Sequence, residues 1–171
     1  MAGADELLAT VRSLLGGDVL DAHTHLGDAT VLVPAGRARE CLQRLRDDPD
    51  LAFNLLVDLT AVDYLGREPR FELVYHLASL DLAPPDGEPC RIRHRLRVKA
   101  GVPEKPCEAD SVASLWDAAN WYEREVYDLY GVVFRGHPDL RRILLYDEFQ
   151  GHPLRKDYPK ERRQPLVGPR N

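Results

Sequence analysis

Phe71-Glu72-Leu73-Val74-Tyr75-His76-Leu77-Ala78 is the stretch that decides the fold class. Phe71, Leu73, Tyr75 and Leu77 alternate with Glu72, Val74, His76 and Ala78, and side chains two apart share one face of a strand. A strand over residues 71–80 with one face on a core follows. Residues 53–64 and 91–99 are the neighbouring strand candidates, set off by Gly66-Arg67-Glu68-Pro69 and by the proline-rich run from Ala83 to Cys90. Working back from there, Ala38, Cys41, Leu42 and Leu45 fall on one side of a helix over residues 37–45, opposite Arg39, Glu40, Arg44 and Arg46. Residues 19–26 and 30–33 predict two short strands joined at Gly27-Asp28. Leu7, Leu8, Val11, Leu14 and Leu15 predict a first helix over residues 5–15, stopped by Gly16-Gly17. Helix, two strands, helix, three strands is the order of a two-layer α+β domain with helices on one face of a mixed sheet. Forward of Ser111 the pattern becomes helical in Ser-Val-Ala-Ser-Leu-Trp and again in Asn-Trp-Tyr-Glu-Arg-Glu-Val-Tyr-Asp-Leu-Tyr, where Gly131 is a natural stop. Beyond Arg135, five prolines at 138, 153, 159, 165 and 169 predict an extended tail. The expected organisation is therefore an α+β domain over residues 1–134 and a partner-binding tail over 135–171.

The chain has 171 residues, 44% hydrophobic and 30% charged, which suits one domain with one core. No apolar run reaches the ~20 residues needed to span a bilayer. The first residues carry acidic groups and no basic group ahead of their apolar positions, unlike a secretory leader, so a cytoplasmic chain is expected. Cys41, Cys90 and Cys107 are far apart with no C-x-x-C pair, which argues against a disulfide framework, a zinc site and the set of thiolates that an iron-sulfur cluster uses. The net charge of -5 is uneven. From residue 135 onward 9 Lys/Arg face 5 Asp/Glu, a net +4, while the part before has 14 against 23, a net -9. A basic end on an acidic body predicts a tail that lies on another surface.

Three constellations invite chemistry. His23 and His25, two apart on a strand, could chelate a metal as in the amidohydrolases, but those enzymes need a barrel of ~250 residues and further ligands that this chain does not offer. Arg91, Arg93, Arg95, Arg97 and Lys99 alternate along one strand and would line one face with five cations. That stripe reads as a solvated or partner-docking face, because the acidic total and the lack of interleaved aromatics speak against nucleic acid. Trp121, Glu125 and Asp128 fall on one side of the last helix with Glu123 and Arg124 beside them, and Tyr122, Val126, Leu129 and Tyr130 form the apolar side. No histidine stands at ligand spacing to these carboxylates, so ion pairs with the arginines that follow, such as Arg141 and Arg142, are the expected use.

Glu123-Arg124-Glu125-Val126-Tyr127-Asp128-Leu129-Tyr130-Gly131, continued by Phe134-Arg135-Gly136-His137-Pro138-Asp139-Leu140-Arg141-Arg142-Ile143-Leu144, resembles the signature of the thirty-kilodalton subunit family of respiratory complex I. Gly151-His152-Pro153-Leu154-Arg155-Lys156-Asp157-Tyr158-Pro159 is similar to the second stretch that these subunits share, and the likeness extends upstream through residues 58–64, 71–77 and 111–120. The resemblance implies the C-type subunit of a proton-translocating NADH-quinone oxidoreductase, a scaffold of the peripheral arm. It implies two partners near the quinone site, the large D-type subunit that forms that site and the cluster-bearing B-type subunit, and a peripheral place on the cytoplasmic side of the inner membrane. It also implies that this chain binds no flavin, cluster or quinone and has no catalytic or metal residue, the FMN and iron-sulfur clusters lying in partner subunits. Equivalent subunits occur in membrane-bound hydrogenases and in ferredoxin- or coenzyme-dependent quinone reductases, which is the alternative reading.

Overall fold

The computed structural model describes residues 3–82, 89–166 and 168, so most of the run from Ala83 to Cys90 and Pro169 lie outside the described residues. Helix α1 spans Ala4–Leu15 and helix α2 spans Ala38–Asp47, with the hairpin β1 (Asp21–His25) and β2 (Asp28–Val33) between them. Three longer strands follow, β3 (Leu55–Asp63), β4 (Phe71–Asp81) and β5 (Arg91–Val102). They form one sheet in the order β1-β2-β5-β4-β3, antiparallel throughout except for the parallel pair β2 and β5. A mixed sheet under helices is what the alternating and helical periods require. The β1–β2 turn sits one residue earlier than the sequence suggests. His25 pairs with Asp28, leaving Leu26 and Gly27 as a two-residue turn with φ of 51° and 85°. Positive φ at both positions matches the twist of a hairpin, and Gly27 accepts it freely while Leu26 is forced to.

The core lies under one face of the sheet. Leu7, Val11 and Leu15 of α1 and Cys41, Leu42 and Leu45 of α2 meet Val31, Val98, Tyr75, Leu73 and Leu59 from the strands. On β4 the odd residues Phe71 to Leu77 supply this face, and Glu72 and His76 on the other face are only half-buried. Strand β5 departs from strict alternation. Ser79 pairs with His94 but Leu80 pairs with Ile92, so a bulge at Arg93 moves it out of the stripe. Arg93 reaches the carbonyl of Asp50 instead, at 2.7 Å, and the expected stripe of five cations shrinks to Arg95, Arg97 and Lys99. Two of those three are paired across the strands, Lys99 with Glu72 at 2.8 Å and Arg97 with Asp28 at 3.4 Å.

The segment after β5 holds two short strands that the sequence did not reveal, β6 (Glu108–Asp110) and β7 (Val133–Arg135), which pair in parallel. Helix α3, Ala119–Tyr130, connects them and packs on β3. Residues 113–115 and 117–118 form turns where helix was expected; the Val112 N–H is taken by the Glu123 side chain, and its carbonyl accepts from the N–H groups of Leu115 and Trp116. The expected boundary at residue 134 cuts β7, so the body runs through Arg135. From Gly136 on, the described residues contain no helix or strand and none is buried, yet the tail is bonded to the body at several points.

Candidate partner-binding surface

Helix α3 and the tail that returns over it bring most of the signature residues together. Asp128 is fully buried near the C-terminal end of the helix. One of its carboxylate oxygens accepts the Arg142 Nη1–H at 2.6 Å, and the other accepts the backbone N–H groups of Ile143, Leu144 and Leu145 at 3.1, 2.9 and 2.9 Å. Burial alone would push this carboxyl upward, but the three N–H groups and the guanidinium outweigh it and hold it below the usual range. The expected grouping of Trp121, Glu125 and Asp128 is corrected accordingly. Asp128 turns inward with Glu123 and Val126, while Trp121 and Glu125 are exposed.

Glu123 is also fully buried, and it accepts the Ser111 hydroxyl and the Val112 N–H at 2.6 Å each, with no cation among its partners in the described residues. Desolvation raises its carboxyl to about 7 against the pull of those two hydrogen bonds. Arg124 donates to the carbonyls of Arg141 and Arg142, both at 3.2 Å, and lies over the Trp121 ring at 5.5 Å. Gly131 ends the helix at φ 75°, where a Cβ would stand 2.5 Å from His152 Nε2. His152 donates through Nδ1 to the Asp128 carbonyl at 2.9 Å, Arg155 donates to the Tyr130 carbonyl, and Leu154 N–H reaches the Leu129 carbonyl at 3.1 Å. The last turn of α3, whose carbonyls no helical partner can satisfy, is thus capped by the tail.

A second clasp lies further along. Arg70 is buried and grips Asp63 in a fork with two bonds of 3.0 Å, while Asp157 meets the same guanidinium at 2.7 Å and Glu104 at 2.7 Å. Lys156 N–H donates to Asp63 at 2.8 Å. Hydrogen bonds from Arg70 hold Asp63 and Asp157 below the normal carboxylate range. Gly151, at φ 94°, offers its carbonyl to Arg142, and Tyr158 stacks on Phe149 at 6.2 Å. His137 bridges the Asn120 carbonyl and the Asp139 N–H, which makes its Nε2 the proton-bearing nitrogen. Gly136, Pro138, Arg141, Leu154 and Lys156 are exposed, Pro153 is half-buried, and Arg141 pairs with Asp139 at 2.8 Å. Sequence reasoning missed Arg70, Asp63, Glu104 and Ser111 as members of these clasps. The available signal was that Asp63 and Arg70 flank one turn. His23 and His25 sit exposed on the edge strand β1, and the three cysteines are free, Cys41 buried, Cys107 half-buried and Cys90 exposed.

The likeness to known proteins spans nearly the whole chain. Residues 31–164 match the family described as the thirty-kilodalton subunit of respiratory-chain NADH dehydrogenase. The chain belongs to this family. The C-type subunit of NADH-quinone oxidoreductase from Geobacter metallireducens is 48% identical over 98% of both chains, and that from Roseiflexus castenholzii is 44% identical over 90% of this chain and 82% of the relative. Among solved structures, a trypsin-resistant fragment of Nqo5 matches with a TM-score of 0.62 and 37% identity, covering 80% of this chain and 98% of the fragment. A chain of the archaeal membrane-bound sulfane sulfur reductase matches at 24% identity with a TM-score of 0.72, covering 92% of this chain and 86% of the other, a likeness of fold. Members of the thirty-kilodalton family are subunits of the respiratory-chain NADH dehydrogenase. Among the described residues of this one, no helix is long and apolar enough to cross a membrane.

Proposed function

We propose that the chain is a scaffold subunit of the peripheral arm of a proton-translocating NADH-quinone oxidoreductase. Its neighbours are the D-type subunit that forms the quinone site and the B-type subunit that bears a cluster, on the cytoplasmic side of the membrane. It carries no redox group, and electrons pass from NADH through the FMN and iron-sulfur clusters of other subunits to quinone. The observation that carries this reading is the end-to-end identity with the G. metallireducens relative, 48% over 98% of both chains. The use of the signature residues agrees with it: Asp128, Arg142, His152, Arg155 and Asp157 build clasps that shape a surface, Arg142 and His152 bonding to Asp128, Arg155 to the Tyr130 carbonyl and Asp157 to Arg70. That Nqo5 yields a trypsin-resistant fragment supports a robust body with a more accessible end.

Affinity capture of the tagged chain from detergent-solubilised membranes of its own host tests the assignment. The expected outcome is recovery of an NADH-oxidising flavoprotein together with the D-type and B-type subunits, and loss of membrane NADH:quinone reductase activity when the gene is deleted. Recovery of a nickel-site subunit in place of the flavoprotein would assign the chain to a hydrogenase-type complex instead.

A further inference from the structure

Two hollows adjoin beside the start of α3, sharing Ser114 and Gly136. One, of about 580 Å³, lies between Trp121 and Pro138, with Asp117 and Asn120 on its wall. The other, of about 510 Å³, is bounded by Arg39, Ser111, Arg135 and Asp110, whose carboxylate is paired with Arg135 at 2.9 Å. We infer that this continuous groove receives an extended segment of a neighbouring subunit, one that brings a carboxylate to Arg39 and, a few residues away, a proline or other apolar side chain to Trp121. The inference rests on the subunit role proposed above and identifies the groove through which it is exercised.

Each end of the groove is prepared for its half of that ligand. Trp121 is 62% exposed, and its ring is steadied by Arg124, which two backbone carbonyls hold in turn. A large fixed aromatic beside a proline, open to solvent, is the kind of side chain that carries binding energy once water is excluded. Arg39 is fixed through its Nε to the Ser111 carbonyl and through Nη2 to the Ser114 hydroxyl, both at 3.1 Å. Neutral acceptors orient a guanidinium without cancelling its charge. Its neighbours differ: Arg37 has Asp18 and Glu40, and Arg135 has Asp110, whereas Arg39 meets no carboxylate among the described residues. An oriented, uncompensated guanidinium is complementary to a carboxylate, with which it forms two parallel bonds. The floor between the ends is rigid, because Arg39 and Arg46, two turns apart on α2, tie down the carbonyls of Ser111 and Leu115 while Glu123 holds Val112 from the other side. The side chains of Ser114, Asp117 and Asn120 supply donors and acceptors for a peptide backbone running between.

Photo-crosslinking in the assembled complex is the test, with Trp121→benzoylphenylalanine in the groove and Leu166→benzoylphenylalanine, at a fully exposed tail position, as the reference. Co-purification of either chain with the flavoprotein establishes assembly independently of the groove. The expected result is a single adduct from position 121, on a peptide of another subunit with Asp or Glu within a few residues of a proline or aliphatic side chain. Trp121→Ala and Arg39→Gln should each weaken retention of the chain about tenfold, read as dissociation in a salt titration, with Arg39→Lys between them and the wild type. The melting temperature of the free chain should not move for Trp121→Ala, and Arg39→Gln, which gives up the bonds to Ser111 and Ser114, should lower it by no more than a few degrees. An assembled chain that gives no adduct from position 121, an adduct on a peptide without a carboxylate, or retention indifferent to both substitutions overturns the groove while leaving the subunit assignment intact. A chain that fails to co-purify at all overturns both.

Discussion

Glu123 and Asp128, five residues apart on α3, are both fully buried and titrate in opposite directions. The difference is the partner. Asp128 has a guanidinium and three N–H groups, while Glu123 has one hydroxyl and one N–H, and faces the buried Tyr75, whose own hydroxyl is pushed up by burial and by Glu123. Asp110 adds further negative charge near that tyrosine. The consequence for stability has a definite sign. Unfolded, a glutamate loses its proton near ~4.3, but in the folded chain Glu123 keeps it to about 7, so between those values the native state binds the extra proton and stability falls as pH rises. The window corresponds to roughly 4 kcal/mol, on the order of 10 °C of melting temperature in a chain of this size. Glu123→Gln copies the protonated form, donating to Ser111 and accepting from Val112. The variant should therefore lose that slope and melt higher than the wild type at about pH 8. Melting curves across the pH range check it, and a wild-type curve that stays flat from about pH 4.5 to 7 would contradict it.

At the level of elements, what was legible in the sequence is what depends on local period. The alternation of Phe71 to Ala78, the apolar stripe of α2 and the stop at Gly131 each involve residues within a turn or two of one another, and each appears where the pattern puts it. What was not legible depends on partners distant in the chain. Strands β6 and β7 have three residues each and exist because Ala109 meets Phe134 across 25 positions. The bulge at Arg93 answers to Leu80, and the burial of Asp128 answers to residues 142–145. Among candidate residues, the run of signature positions was readable, but Arg70 was not, since its three carboxylates come from positions 63, 104 and 157. Gly131 is where both kinds of information meet. Its φ of 75° costs an L-residue about 1–2 kcal/mol, and a Cβ would also stand against His152 and Arg155. Gly131→Ala is expected to destabilise the chain by more than that backbone figure and to loosen the tail. Hydrogen exchange at Leu154 and Arg155 should quicken in the variant, and unchanged protection there would show that the tail does not depend on close approach to the helix end.

For the molecule as a whole, the question is whether the tail belongs to the fold or to the partner. The 24 residues after Asp147 contribute the His152, Leu154 and Arg155 bonds to the end of α3 and the Lys156 and Asp157 bonds to the Arg70 clasp. At about 0.5–1.5 kcal/mol net for each bond, these amount to several kcal/mol. Ordering the backbone opposes them at about 1–2 kcal/mol per residue, and among the described residues past Phe134 only Leu140, which precedes this segment, packs against the core. Opposed in this way, the tail is held by a small net balance, to which a partner surface covering it would add. Deleting residues 148–171 should therefore leave a folded body that melts only a few degrees lower, the loss coming from Asp63 and Arg70 with one partner fewer, and the truncated chain should fail to enter the complex. Trypsin should cut the free subunit first at the exposed Arg162 and Arg163, and later at Arg155 and Lys156, while the assembled enzyme protects all four. A truncated chain that does not fold would place the tail within the body's own cooperative unit. One that assembles into active enzyme would remove the tail from the interface and leave the subunit's attachment to its other faces.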